Sequence, residues 1–464
     1  MTATLDSTTT TELPGEPSPP PGTAALRGVL AGLLTLVTLI AFEAMAVGTA
    51  MPAVARAMHE VGGYGLAISA FLATSLFATA LSGYWNDRSG PRLPLLTGLA
   101  AFTGGLLVSG TAPDFAVFTA GRALGGIGAG LVTVSLYVLV GHAFPAERRP
   151  RIFGWFSAAW VVPSLVGPAI SGWLTQTVSW RVVFLAVPPI AVAAVLALLP
   201  GLRGTSGGAP TRLPTRRLLA GAGVAVSATL LQWGAERLGT PAGVATAVVG
   251  VVALVAALVV LLPAGTMRLR RGLPALIATR GMLNTAFMGV NTFIPLMLVT
   301  LRHLPPAFAG IALTTGAVGW SAGSWVQARV RGDAGHGRLV SVGPLVVGAG
   351  AVLLAVVVVG LPTWVVGVVW FAAGMGMGAA MSSASVLLLN LSASAEQGTN
   401  SSYLQLADSL GGVLGVGLAG AVFAAAHAQG PVGSHVFAVI WLMLAAVGVA
   451  AGLSGRRVVR RGTD

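Results

Sequence analysis

Apolar runs of the length a helix needs to cross bilayer hydrocarbon, about 20 residues, recur along this chain with short polar breaks between them. Fourteen such windows fit, at 27–51, 63–85, 93–112, 114–141, 152–177, 181–200, 218–237, 241–263, 275–300, 306–328, 339–360, 362–390, 398–427 and 434–455. A Gly-, Pro- and Arg-rich stretch separates the sixth window from the seventh. The pattern predicts an all-α integral membrane protein with an N-terminal six-helix bundle at 25–201, a connector at 202–217, two accessory helices at 218–264 and a C-terminal six-helix bundle at 265–456. The segments 1–24 and 457–464 are expected to be tails. Six helices, two extra and six more is the layout of a transporter made of two related bundles with a site between them. The second window ends Gly83-Tyr84-Trp85-Asn86-Asp87 and its counterpart ends Gly323-Ser324-Trp325-Val326-Gln327, an internal similarity that agrees with the division.

Composition supports the membrane class, with 55% hydrophobic and 8% charged residues over 464 positions. The net charge of +13 would suit a nucleic-acid binder, but its distribution argues otherwise. All 26 basic residues are arginine. When alternate loops are assigned to opposite sides, Arg56, Arg181, Arg237 and Arg302 fall on one side, Arg122 falls inside a window, and the other twenty-one, Arg280 among them, collect on the opposite side. By the positive-inside rule that side is cytoplasmic and holds both termini, so the charge reports topology and no nucleic-acid partner is expected. The first 24 residues lack the basic start of a signal peptide, so the first window is expected to remain as a true span. With no cysteine, thiolate chemistry and disulfides are excluded. The six histidines show no paired ligand spacing, and no metal is assigned. There is no lysine and no phosphate-binding loop, which disfavours ATP-driven pumping.

The loop after the second window reads GYWNDRSGPR, Gly83 to Arg92. It resembles the signature loop of the major facilitator superfamily, with Gly83, Asp87, Arg88, Gly90 and Arg92 on its pattern and Pro91 in place of a basic residue. Gly83 would permit close helix contact, Asp87 would face the positive end of a neighbouring helix, and the arginines would pair with acids or lipid phosphate. The stretch GRALGGIGAG, Gly121 to Gly130, is similar to the superfamily motif that sets an arginine before a run of glycines. PSLVGPAISGWL, Pro163 to Leu174, resembles the antiporter motif at Gly167, Pro168 and Gly172, with Pro163 and Ser171 replacing two glycines. Pro168 removes a backbone hydrogen bond, and the small residues admit a neighbouring helix. FEAMAVGTAMP, Phe42 to Pro52, SWRVVFLAVPP, Ser179 to Pro189, and QLADSLGGVLGVGLAG, Gln405 to Gly420, are similar to segments of the fourteen-helix drug:proton antiporters. Glu43 stands where that family carries an acid, nine residues before a proline. The resemblance implies a major facilitator fold and proton-coupled export of small amphipathic compounds, with no enzymatic activity.

Of 13 acidic residues only Glu43 and Asp408 lie within windows, the others falling in tails, loops or helix ends. A carboxylate away from water resists ionisation, so such a group is suited to loading and releasing protons near neutral pH. Glu43 is therefore expected to carry the proton, and Asp408 to act as a second carrier or as the binding charge for a cationic substrate. An arginine inside a span needs a partner, which makes Arg122 the candidate for a membrane carboxylate. Asn284, Phe287, Met288, Asn291 and Trp320 are the candidate substrate wall, with Gln232 as a further polar group. The expected energy source is the proton gradient without a cofactor, and the partners are protons, a small-molecule substrate and the bilayer. The chain is expected to be a monomer in the inner (plasma) membrane. Proton-driven uptake, and export of a lipid or pigment, remain open on the same residues.

Overall fold

The computed structural model describes residues 23–144, 149–202, 215–360, 362–392, 396–430 and 432–459. The tail expected at 1–24 and the connector at 202–217 lie almost wholly outside these residues. Among the described residues there is no strand. The membrane helices are α1 (Thr23–Ala57), α2 (Tyr64–Ser89), α3 (Arg92–Thr111), α4 (Phe115–Ala143), α5 (Arg149–Thr177), α6 (Trp180–Leu198), α7 (Thr215–Glu236), α8 (Pro241–Leu261), α9 (Leu273–Leu301), α10 (Pro306–Gln327), α11 (Gly332–Val359), α12 (Trp364–Leu391), α13 (Gln397–His427) and α14 (Ser434–Gly455). The helix α6 is interrupted at Ala186, just before Pro188 and Pro189, which lack the N–H groups needed to continue the ladder.

Among the described residues, twelve of these helices are long and apolar enough to cross a membrane by length and composition. Outside those twelve, α5 is 29 residues long, and α10 is 22 residues long but less apolar. In α10 the shortfall comes from its Gly, Ser and Thr content, which serves contact with other helices rather than with lipid.

The packing repeats itself with a step of eight helices. In the first half α1 packs on α5 and α6, while α4 receives α2 and α3; in the second half α9 packs on α13 and α14, while α12 receives α10 and α11. The halves meet through α2 with α13 and α5 with α10, two pairs that the same step interchanges. The close contacts at this joint lie on the side of the membrane that the sequence leaves poor in arginine. A Cβ on Gly65 would stand 2.6 Å from the Gly420 Cα, and one on Gly172 would stand 2.7 Å from the Ala307 Cα. Gly310 sits against the carbonyl of Pro168. Beside them Tyr64 donates to the Thr292 carbonyl at 2.7 Å. Lipid supplies no hydrophobic drive between helices, so this backbone-on-backbone approach holds the joint through dispersion.

The accessory helix α7 lies against both α2 and α13, and α8 packs chiefly on α7. Gln232, on α7, donates to the Ser69 hydroxyl at 2.9 Å and rests on Gly420, where a Cβ would stand 3.2 Å from its amide nitrogen. Gln232 therefore ties the accessory pair to the joint and does not join the substrate wall.

Any side chain at Gly310 collides with backbone, so Gly310→Leu is expected to hold the arginine-poor ends of the halves apart. The chain has no cysteine, so a cysteine placed at Thr292 gives a unique reporter. Its labelling by an impermeant maleimide added on that side should rise several-fold over the parent. Unchanged labelling in a protein that still melts normally would show that this joint does not close the path.

Candidate functional site

Glu43 belongs to a stripe on α1 formed by Leu36, Ile40, Glu43, Val47 and Ala50, all buried, so helical spacing turns its carboxylate toward the interior. Arg122 reaches it from α4, seven residues or about 10 Å from that helix's first residue. The guanidinium Nη1 donates to Glu43 Oε1. Glycines set the third side. Gly126 packs directly against the Phe71 carbonyl, and the α2–α4 approach lays the Phe71 ring over Arg122 at 4.3 Å. The pair is dry, with side-chain exposures of 4% for Arg122 and 1% for Glu43. It is also incompletely satisfied, because Glu43 Oε2 and Arg122 Nε have no hydrogen-bond partner. A half-satisfied buried pair is held by one charge-assisted contact and the ring face alone, so loss of either charge leaves the other stranded.

The second membrane carboxylate has a different setting. Asp408, on α13, is bound by Arg280 of α9 in a fork, Nε to Oδ1 at 2.8 Å and Nη2 to Oδ2 at 2.8 Å. The remaining nitrogen, Nη1, donates to the Met381 carbonyl and the Ser385 hydroxyl on α12, each at 2.8 Å. This pair ties three helices and leaves no guanidinium nitrogen idle. Arg280, assigned to an arginine-rich loop on sequence grounds, in fact lies seven residues into α9, within a 29-residue span. The first residue of α4 and the first residue of α9 lie on opposite sides of the alternating bundle. One ion pair therefore sits in each half of the membrane, Glu43–Arg122 toward the arginine-poor side and Arg280–Asp408 toward the arginine-rich side.

The loop residues stand apart from both pairs. A Cβ on Gly83 would meet nothing within 4 Å, so the close contact expected of it is absent in this conformer. Asp87 is exposed, and among the described residues it has no hydrogen bond or ion pair. Asn86, its buried neighbour, makes the helix contact instead, through the Ser135 hydroxyl at 3.1 Å. Arg88 donates to the Tyr84 hydroxyl, Gly90 caps α2 with φ of 72°, and Arg92 opens α3 at the surface. On α5, Gly167 faces Phe42 and Met45 of α1, while Pro168 and Gly172 face α10. Ser171 donates to the Ala46 carbonyl at 2.6 Å. The antiporter-like segment is thus the piece through which α1, α5 and α10 touch.

The candidate wall residues divide. Asn284 spends its amide nitrogen on the Asp408 carbonyl, which makes it a tie between α9 and α13. Phe287 stacks on Trp370 at a centroid separation of 4.7 Å and meets the Trp320 ring edge-on at 5.6 Å. The Trp370 indole N–H donates to Asn291 Oδ1 at 2.9 Å. Met288 and Asn291 lie one turn apart on α9 and are partly exposed, whereas every other position from Leu283 to Val299 is buried. Trp370 was not singled out from the sequence; its only signal there is a tryptophan in mid-window, a position more often taken by packing or lipid-facing residues.

The Major Facilitator Superfamily model matches residues 33–416. The chain belongs to the major facilitator superfamily. The chain is 28% identical over 432 residues to a probable multidrug-efflux transporter of Mycobacterium tuberculosis, Rv1634, covering 87% of this chain and 89% of that one. It is also 28% identical over 179 residues to the multidrug transporter protein MdtP of Bacillus subtilis, covering 38% of this chain and 32% of that one. A crystal structure of a peptide transporter POT shares the fold at a TM-score of 0.65 and 16% identity, covering 92% of this chain and 93% of that one. The family and fold are those of transporters, not enzymes.

Removing one partner of a buried pair strands the other. Asp408→Asn is therefore expected to cost on the order of 3–5 kcal/mol, read as a lower unfolding temperature in detergent. The double variant Arg280→Leu with Asp408→Leu should recover most of that loss. A single variant as stable as the parent would show that Arg280 has another counter-charge.

Proposed function

We propose that this transporter exports small amphipathic molecules in exchange for protons, by alternating access. The observation that carries the reading is the dry Glu43–Arg122 pair, with one carboxylate oxygen and one guanidinium nitrogen unpartnered. A proton arriving on Glu43 cancels the carboxylate charge and leaves Arg122 as a lone cation in a low-dielectric site. The cost of that state is several kcal/mol, larger than the roughly 2.3 kcal/mol gained per charge moved through 100 mV. The bundle relieves it by rearranging, which is how proton binding is converted into movement of the halves. The two halves, 25–201 and 265–456, are the moving bodies, and the glycine joint on the arginine-poor side is the closure that opens.

Export over uptake is favoured by the antiporter-like segment at Gly167, Pro168 and Gly172, which forms the α1–α5–α10 contact, and by a relative whose name describes probable multidrug efflux. The excess of arginine on one side supports cytoplasmic termini, and the plasma membrane is the location we propose. Asp408, fully engaged by Arg280, serves first to hold the second bundle together and takes a proton only if that fork opens.

Glu43→Gln keeps the shape of the side chain and removes the charge that titrates. In proteoliposomes the variant is expected to lose gradient-driven flux while retaining exchange of labelled for unlabelled substrate across the membrane. Flux at the parental rate under an imposed proton gradient would sink the carrier assignment. Everted vesicles give the direction: acidification of the lumen should drive accumulation inside, and efflux from the lumen would favour uptake in the cell.

A further inference from the structure

The residues around Asn291 carry information about which molecules the site accepts, and this inference rests on the export reading only for the statement that the site faces a transported substrate. The helix α9 is the most buried of the spans, at 78%. It touches α1 from the other half and α10 to α14 from its own. Exposure in its middle therefore opens into the protein and not into lipid, and only Met288 and Asn291 are partly exposed between Leu283 and Val299, the rest being buried.

The orientation of the Asn291 amide is fixed by chemistry. An indole N–H can only donate, so the atom it meets at 2.9 Å must be the amide oxygen. Trp370 is itself completely buried, clamped by the Phe287 ring on one face and seated on Gly316, where a Cβ would stand 2.5 Å from the indole. With the oxygen consumed, the NH2 group of Asn291 turns the other way, and it finds no partner among the described residues. The surface offered to the interior is thus two N–H donors, with the partly exposed Met288 thioether one turn away on α9 and the partly exposed Trp320 ring linked to them through the Phe287 and Trp370 rings. No described carboxylate is recorded in contact with Asn291, Met288 or Trp320, and the two membrane carboxylates are each engaged by an arginine.

We infer that Asn291, oriented by Trp370, is a specificity-determining residue for planar aromatic molecules bearing a carbonyl or similar oxygen acceptor, the ring lying on Trp320 and Met288 and the oxygen accepting from the Asn291 amide. Donors aimed at a substrate oxygen reject analogues that lack it, because the amide is then left without its hydrogen bond. A donor-only planar cation meets the wrong end of the same amide.

The test uses purified full-length protein in nanodiscs and two fluorescent probes of similar shape, N-methylacridone, which has a carbonyl acceptor and no donor, and 9-aminoacridine, a donor-bearing cation. Binding is read by tryptophan quenching. The parent should prefer N-methylacridone, and Asn291→Leu should weaken that probe about tenfold, the worth of one hydrogen bond, with little effect on the other. Asn291→Asp still accepts from Trp370 but presents an acceptor inward, so it should reverse the preference; this variant decides the matter if the leucine variant fails to fold. Equal binding of both probes to parent and Asn291→Asp overturns the inference. Flux in everted vesicles is scored separately. Discrimination in binding without flux would leave the subsite standing and remove the export reading, whereas flux with no dependence on Asn291 would do the reverse.

Discussion

A charge withdrawn from water must find an opposite charge or become neutral, and two carboxylates inside the bundle meet that demand in the same way, each through an arginine. Arginine keeps its proton at any pH a cell experiences. Within each pair the carboxylate is consequently the only member able to change charge. When it does so, the cost falls on a cation that cannot leave. The arrangement ties a local protonation event to the packing of whole helices, because Arg122 spans α4 to α1 and Arg280 joins α9, α12 and α13.

The pairs differ in how much slack they have. Arg280 uses all of its nitrogens and fixes the second bundle; Arg122 uses one and leans on a phenyl ring. A well-satisfied network rigidifies, while a partly satisfied one has alternatives close in energy. The same division of labour appears in the joint, where glycine contacts between halves lie on one side of the membrane and Gly83 at the far end of α2 meets nothing. Rigid second bundle, adaptable first pair and one-sided joint are the features on which the proposed alternating access rests.

Much of the architecture was legible because the bilayer imposes a single length on apolar helices, and windows drawn on that basis agree with the fourteen helices closely, α14 to the residue. Glu43 and Arg122 stood out because a charge in an apolar run is expensive. Their pairing could not be read, since 79 residues separate them and helical pattern says nothing about which helices touch. Arg280 was hidden for another reason. It lies near the end of its window, where an arginine looks like the start of a loop, and the partner that accounts for it is 128 residues away. The signature loop shows a further limit: the roles expected of Gly83 and Asp87 are contacts between moving parts, and a motif carries no mark of the conformer in which those contacts form.

Trp370 fits its place only because residue 316 is glycine, and the indole in turn fixes which way the Asn291 amide turns. Neither member of that couple can drift alone, since a methyl group at 316 evicts the ring and a smaller residue at 370 leaves a hollow. For the proposed subsite, natural variation in what it accepts is thereby channelled to Met288, Trp320 and Asn291 itself, and divergent descendants should differ there while the foundation beneath stays frozen.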